Sequence, residues 1–81
     1  MKKEDLQVGD RIINRSAWNM GEATVKEITD RGFKYKLDKR YDLGARYGWF
    51  DEGECYLVGP NDLETQYLEK VCEWQKVNKA I

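Results

Sequence analysis

Hydrophobic and polar residues alternate in this chain with two different rhythms. As far as Val58 the apolar residues come in short groups separated by glycine and charge, and beyond Pro60 they recur every three or four positions. The clearest short group is Phe33-Lys34-Tyr35-Lys36-Leu37, whose strict alternation places three apolar side chains on one face of a strand and two lysines on the other. Arg11-Ile12-Ile13, after Gly9-Asp10, reads as a first strand, and Glu22 to Ile28, β-branched with a broken alternation, as a second strand carrying a bend or bulge. Thr29-Asp30-Arg31-Gly32 reads as the turn that follows, with Gly32 free to take a positive φ. Arg46 to Phe50 predicts a fourth strand, Asp51 to Glu54 a tight acidic turn and Cys55 to Val58 a fifth strand, while Asn14 to Gly21 and Asp38 to Ala45 read as loops.

Gly59-Pro60 ends the strand-like part, because proline cannot continue a ladder. Asn61 then suits an N-cap, Glu64 completes a capping box, and Asp62 and Glu64 lie at the positive end of the helix dipole. Leu63, Tyr67, Leu68, Val71, Trp74 and Val77 form one apolar stripe, so the pattern predicts an amphipathic helix of about four turns over 61–79. The expected fold is mainly β: a small barrel of about five strands over 6–58, with one C-terminal helix packed on it as part of a single domain, 1–81. The stripe is broader than a seven-residue repeat, which favours docking on the chain's own barrel and a monomer or at most a weak homodimer.

Size narrows the functional classes. A chain of 81 residues has a thin core and little to spare for a deep pocket. No apolar run reaches the roughly 18 residues a membrane span needs, and no apolar leader follows Met1-Lys2-Lys3-Glu4-Asp5, so the expected compartment is the cytoplasm, with no membrane partner. Cys55 and Cys72 are then expected to be reduced thiols packed as small apolar groups. With no histidine, two cysteines do not make a structural zinc site, and no cofactor is expected.

Val8-Gly9-Asp10-Arg11-Ile12-Ile13, then Gly21-Glu22-Ala23-Thr24-Val25-Lys26-Glu27-Ile28, then Gly32-Phe33-Lys34-Tyr35-Lys36-Leu37 resemble the opening of an SH3-like barrel of the KOW kind, over about residues 6–58. That resemblance implies contact with ribosomal RNA or transcription proteins, and, for SH3-like barrels more widely, with peptides and proteins. As a short charged chain with a barrel and a helix, the protein is also similar in style to small phage or mobile-element proteins.

Catalysis is not expected. The commonest general base is missing with histidine, Ser16 has no nucleophile elbow around it, and the acids before Cys55 would raise a thiol pKa rather than activate it. The net charge of −1 conceals a division, with a local +4 over residues 31–50 and a local −4 over residues 51–81. Two binding readings follow. In the first the chain is a non-catalytic protein-binding module in which Trp18, Tyr41, Tyr47 and Trp49 supply apolar contact, two of them on loops without an obvious core partner. A phage-type accessory or inhibitor acting on a host protein is one version, in which Asp51, Glu52, Glu54, Glu64, Glu69 and Glu73 mimic phosphates. In the alternative, a KOW-like nucleic-acid-binding domain uses Lys34, Lys36, Lys39 and Arg40 from the basic stretch 31–46. A pI near 5.4 speaks against that alternative.

Overall fold

The segment with the strongest alternation lies inside the sheet, one strand from its edge. In the computed structural model, which describes residues 1–15, 21–40 and 52–77, β1 is Arg11–Asn14, β2 Gly21–Ile28, β3 Gly32–Arg40, β4 Glu52–Tyr56 and β5 Trp74–Lys76. The single α-helix among these residues, α1, is Asp62–Val71 and connects β4 to β5. Every strand pair is antiparallel, in the order β4-β3-β2-β1-β5. Phe33 is buried, Tyr35 and Leu37 are half-buried, and Lys34 and Lys36 are exposed, as the alternation requires.

The sheet is a curled half-barrel rather than a flat plate. Its register slips twice between β2 and β3, between Glu22 and Ala23 and between Val25 and Glu27. Asp38 is therefore an extra residue in β3 and Lys26 an extra residue in β2, and such bulges bend a strand and tighten its twist. The bend expected in the second strand is present. The core inside the curl is Leu6, Ile12, Ala23, Val25, Phe33, Leu57 and Trp74. A short 3-10 turn, Lys3–Asp5, delivers Leu6 to it.

Several boundaries differ from the sequence expectation, each for a tertiary reason. Glu52 to Glu54 belong to β4 instead of a turn, because they pair with Lys36, Tyr35 and Lys34 of β3. β3 runs on to Arg40, into the segment expected to be a loop, with Lys39 and Arg40 opposite Glu22 and Gly21. Leu57 and Val58 leave the ladder, and both their N–H groups donate to the Arg31 carbonyl, at 2.7 and 2.8 Å. The strand expected over 46–50 lies outside the described residues.

The helix is shorter than 61–79. It starts as predicted, with the Asn61 Oδ1 accepting from the Glu64 N–H at 2.8 Å. Its last bond runs from the Cys72 N–H to the Leu68 carbonyl, and Cys72 is already extended. Trp74 to Lys76 instead covers the open edge of β1, with Trp74 opposite Asn14 and Lys76 opposite Ile12. The stretch after Val71 can be read with a period of two as well as of three or four, and an unpaired strand edge is enough to decide a weak local preference.

Turn chemistry also moved. Among the described residues the positive φ belongs to Gly9, at 93°, and not to Gly32. Gly32 is needed for another reason: any Cβ there would collide with the Cys55 backbone carbonyl on β4.

Two stability outcomes follow. Gly32→Ala pushes β3 from β4 and is expected to cost about 2 kcal/mol or more, against about 1 kcal/mol for Gly9→Ala, read from urea unfolding midpoints. Trp74→Ala is expected to cost about 3–5 kcal/mol, enough to unfold most of the population near 37 °C, followed by near-UV circular dichroism on heating.

Candidate interaction surface

The basic strand is the first candidate surface, and its neighbours decide its character. Lys34 Nζ lies 3.5 Å from the Glu27 carboxylate. In register across β4, Glu54 stands opposite Lys34 and Glu52 opposite Lys36, while across β2 Glu22 stands opposite Lys39 and Gly21 opposite Arg40. Because Glu52 and Glu54 sit in a strand, they are spaced two residues apart like the lysines they face. The result is a ladder of alternating sign. Opposed charges of this kind contribute roughly 0.2–1 kcal/mol each to the sheet. They also lower the positive potential that phosphate binding draws on.

The second candidate is α1. Glu64 and Thr65 of the helix, and Cys72 just after it, hold it to the half-barrel, and Leu68 and Glu69 are half-buried. Thr65 Oγ1 accepts from the Gly59 N–H at 3.0 Å, and the Glu64 carboxylate turns to Arg31, 3.8 Å away. The expected apolar stripe is thus split. Leu68 is half-buried, Trp74 leaves the helix for β5, and Leu63, Tyr67 and Val71 stay in solvent at 79, 62 and 51% exposure. The helix is therefore anchored by a mixed polar face, and its most apolar row is uncovered.

Beside α1 lies a small aromatic and cationic cluster. Arg31 places its guanidinium 4.7 Å from the centre of the Tyr56 ring, donates from Nε to the Val58 carbonyl at 3.1 Å, and meets Glu64. Tyr56 itself is 46% exposed. Cation–π and ion-pair contacts hold this arginine in one place, so the surface next to the helix is preorganised.

The third feature is internal. Tyr35 of β3 and Trp74 of β5 have ring centres 4.7 Å apart, although β2 and β1 lie between their strands. The Cys55 and Cys72 thiols meet beside them and hydrogen bond to each other. Cys55 donates, which pushes its own pKa up, with burial adding to the rise. Cys72 accepts, which lowers its pKa to about 7 against the opposing effect of burial, and the Trp74 backbone N–H supports the same charge. Burial pushes the Tyr35 hydroxyl up, and both cysteines contribute. The rise expected at Cys55 is present, but its main source is Cys72 and not the acids that precede it.

Of the residues singled out in the sequence, Lys34, Lys36 and Lys39 share one outer face of β3, and Arg40 closes that strand. Trp18, Tyr41, Tyr47 and Trp49 lie outside the described residues, as does Asp51. Tyr56, Arg31 and the Cys55–Cys72 pair were not singled out as sites. The helical spacing of Leu63, Tyr67 and Val71 was visible in the sequence, but which way they face depends on α1's anchors.

Among the described residues, no group of three or more histidine, cysteine or acidic side chains is placed to hold a metal ion, and no helix is long and apolar enough to cross a membrane. Comparison of the chain with protein-family models, with curated proteins and with solved structures finds no match in any of the three.

The thiol pair gives a direct pH test. Alkylation of Cys72 by iodoacetamide is expected to rise with pH to half its maximum rate near pH 7. In Cys55→Ala the donor is lost, so the midpoint moves up towards the ordinary thiol range near 8.5. Mass mapping of the alkylated peptide at each pH reads both midpoints.

Proposed function

We propose that this chain is a non-catalytic protein-binding module that presents α1 to its partner. The observation that carries this reading is the exposure of Leu63, Tyr67 and Val71 along one row of a helix whose other side is anchored. Three large apolar side chains at positions i, i+4 and i+8 are the pattern by which a helix enters an apolar groove. Asp62, Glu69 and Glu73 on and just beyond the same helix favour a groove with a basic rim. Tyr56 and Arg31 are residue types that often dominate interface energies, and they extend the surface beside the helix.

In this reading the half-barrel is an SH3-like scaffold of the KOW kind working in the cytoplasm, with Trp18, Tyr41, Tyr47 and Trp49 as further apolar contacts. A phage-type accessory or inhibitor of a host protein is the specific version we favour. Phosphate mimicry by Glu52 and Glu54 receives little support, because the lysines of β3 stand opposite both. The same pairing weighs against the nucleic-acid reading at Lys34 and Lys36, as Glu22 does at Lys39, while Arg40 stands opposite Gly21.

The test needs two experiments on the full chain. Tyr67→Ala and Leu63→Ser alter exposed residues and leave the fold intact. For the partner recovered with the wild-type chain, Tyr67→Ala is expected to weaken affinity roughly 30-fold, the effect of losing an anchor worth about 2 kcal/mol. Lys34→Glu is expected to change it little. Unchanged affinity in both α1 variants would remove the ridge from the interface. An amide NMR titration with mixed-sequence DNA and RNA at about 50 mM salt is expected to show no saturable shifts. Shifts centred on Lys34, Lys36 and Lys39 that fade at about 200 mM would replace this proposal with the nucleic-acid one.

A further inference from the structure

The two cysteines occupy an unusual place in the topology. Cys55 is on β4, one rim of the five-stranded sheet, and Cys72 lies two residues before the start of β5, the other rim. In a flat sheet three strands would separate them. Here the curl brings the rims round, as the 4.7 Å contact between Tyr35 and Trp74 shows, and the two cysteines pack on the same core and perturb each other. Both cysteines are free and half-buried. The segment between them contains the whole of α1.

We propose that Cys55 and Cys72 form a redox-active dithiol at the seam of the half-barrel, and that low-molecular-weight disulfides of the glutathione type are its substrates. The Cys72 thiolate attacks one sulfur of the small disulfide. A Cys72–S–S–R bond forms, the small disulfide's S–S bond breaks, and one R–S⁻ leaves and takes a proton from water. The charge that had held the Cys55 proton in place is now gone. Cys55 loses that proton to solvent and its sulfur attacks Cys72 Sγ. The Cys55–Cys72 bond forms and the second R–S⁻ leaves. In sum, the protein's two thiols are oxidised to one disulfide, and the small disulfide is reduced to two thiols. The opposite shifts of the pair, down at Cys72 and up at Cys55, make Cys72 the attacking sulfur and Cys55 the one that resolves the mixed disulfide.

The oxidised form joins the C-terminal end of α1 to β4 covalently. A crosslink across a loop of this length is expected to raise the thermal midpoint on the order of 10 °C. The effect is intramolecular and independent of the partner-binding reading.

The experiment is oxidation of the full chain with glutathione disulfide at pH 8, followed by intact mass and thermal unfolding. The expected product is a monomer lighter by two hydrogens, with no retained glutathione, a raised midpoint, and full reversal by dithiothreitol. Cys55→Ala is expected to stop at one retained glutathione on Cys72. Cys72→Ala is expected to react at least 10-fold more slowly. Should either variant fold poorly, wild-type protein quenched at early times still reports the order of events, as a transient adduct on the Cys72 peptide. Two stable glutathione adducts, a disulfide-linked dimer as the main product, or an internal disulfide that lowers the midpoint would each overturn the proposal.

Discussion

The contact between Trp74 and Tyr35 is the interaction on which the other features of this structure depend. Tyr35 stands one strand from one rim of the sheet and Trp74 on the strand at the other rim, so their rings can meet only if the sheet bends back on itself. An aromatic ring of this size buries about 150–250 Å², worth roughly 4–6 kcal/mol at the usual coefficient. For a domain of this length the whole net stability is of the order of 4–12 kcal/mol. One side chain therefore contributes on the scale of the entire margin. The bulges at Lys26 and Asp38 give the backbone the bend that this contact requires. Gly53, opposite Tyr35, removes the side chain that would otherwise collide with the tyrosine ring and hydroxyl.

From that contact the orientation of α1 follows. With Trp74 drawn into the core, Cys72 must lie at the inner side of the helix end. Thr65 and Glu64 are held near the helix start by Gly59 and Arg31. A rigid helix fixed at both ends has no freedom left to rotate. Leu63, Tyr67 and Val71 therefore remain outside, although burying them elsewhere would be favourable. An uncovered apolar row on an anchored helix is a surface feature that a binding partner can use. The same constraint sets Cys72 against Cys55, so the exposed apolar row and the thiol pair are two consequences of one packing event.

Electrostatics on the outer face follows a simpler logic. The lysines of β3 and the glutamates of β4 share a two-residue spacing, and antiparallel register lays them opposite each other. The net field over this face is weak even though the number of charges is high. Lys76 does a related job at the other edge. It reaches the Asp5 carbonyl at 3.0 Å and the Asp10 carboxylate at 3.3 Å, and so ties β5 to the N-terminal turn. Exposed pairs of this sort add little stability singly, and their main effect is to fix register and discourage edge-to-edge pairing.

The class of fold was legible in the sequence, and so were the strands whose two faces differ most. Phe33 to Leu37 shows its inner and outer sides by alternation alone, the bend in β2 shows in its broken pattern, and Asn61 marks the helix start by its own side-chain chemistry. These are local properties, set by residues a few positions apart. What followed Val71 was not legible, because Trp74 satisfies a helical spacing and a strand spacing equally well. Only the open edge of β1 selects between them. Nor could spacing show that Glu52 and Glu54 face lysines, since that is a property of register with another strand. The outward turn of Tyr67 and the meeting of Cys55 with Cys72 are the furthest from sequence. Each depends on where the sheet closes, and closure is a balance struck over the whole core rather than within any one segment.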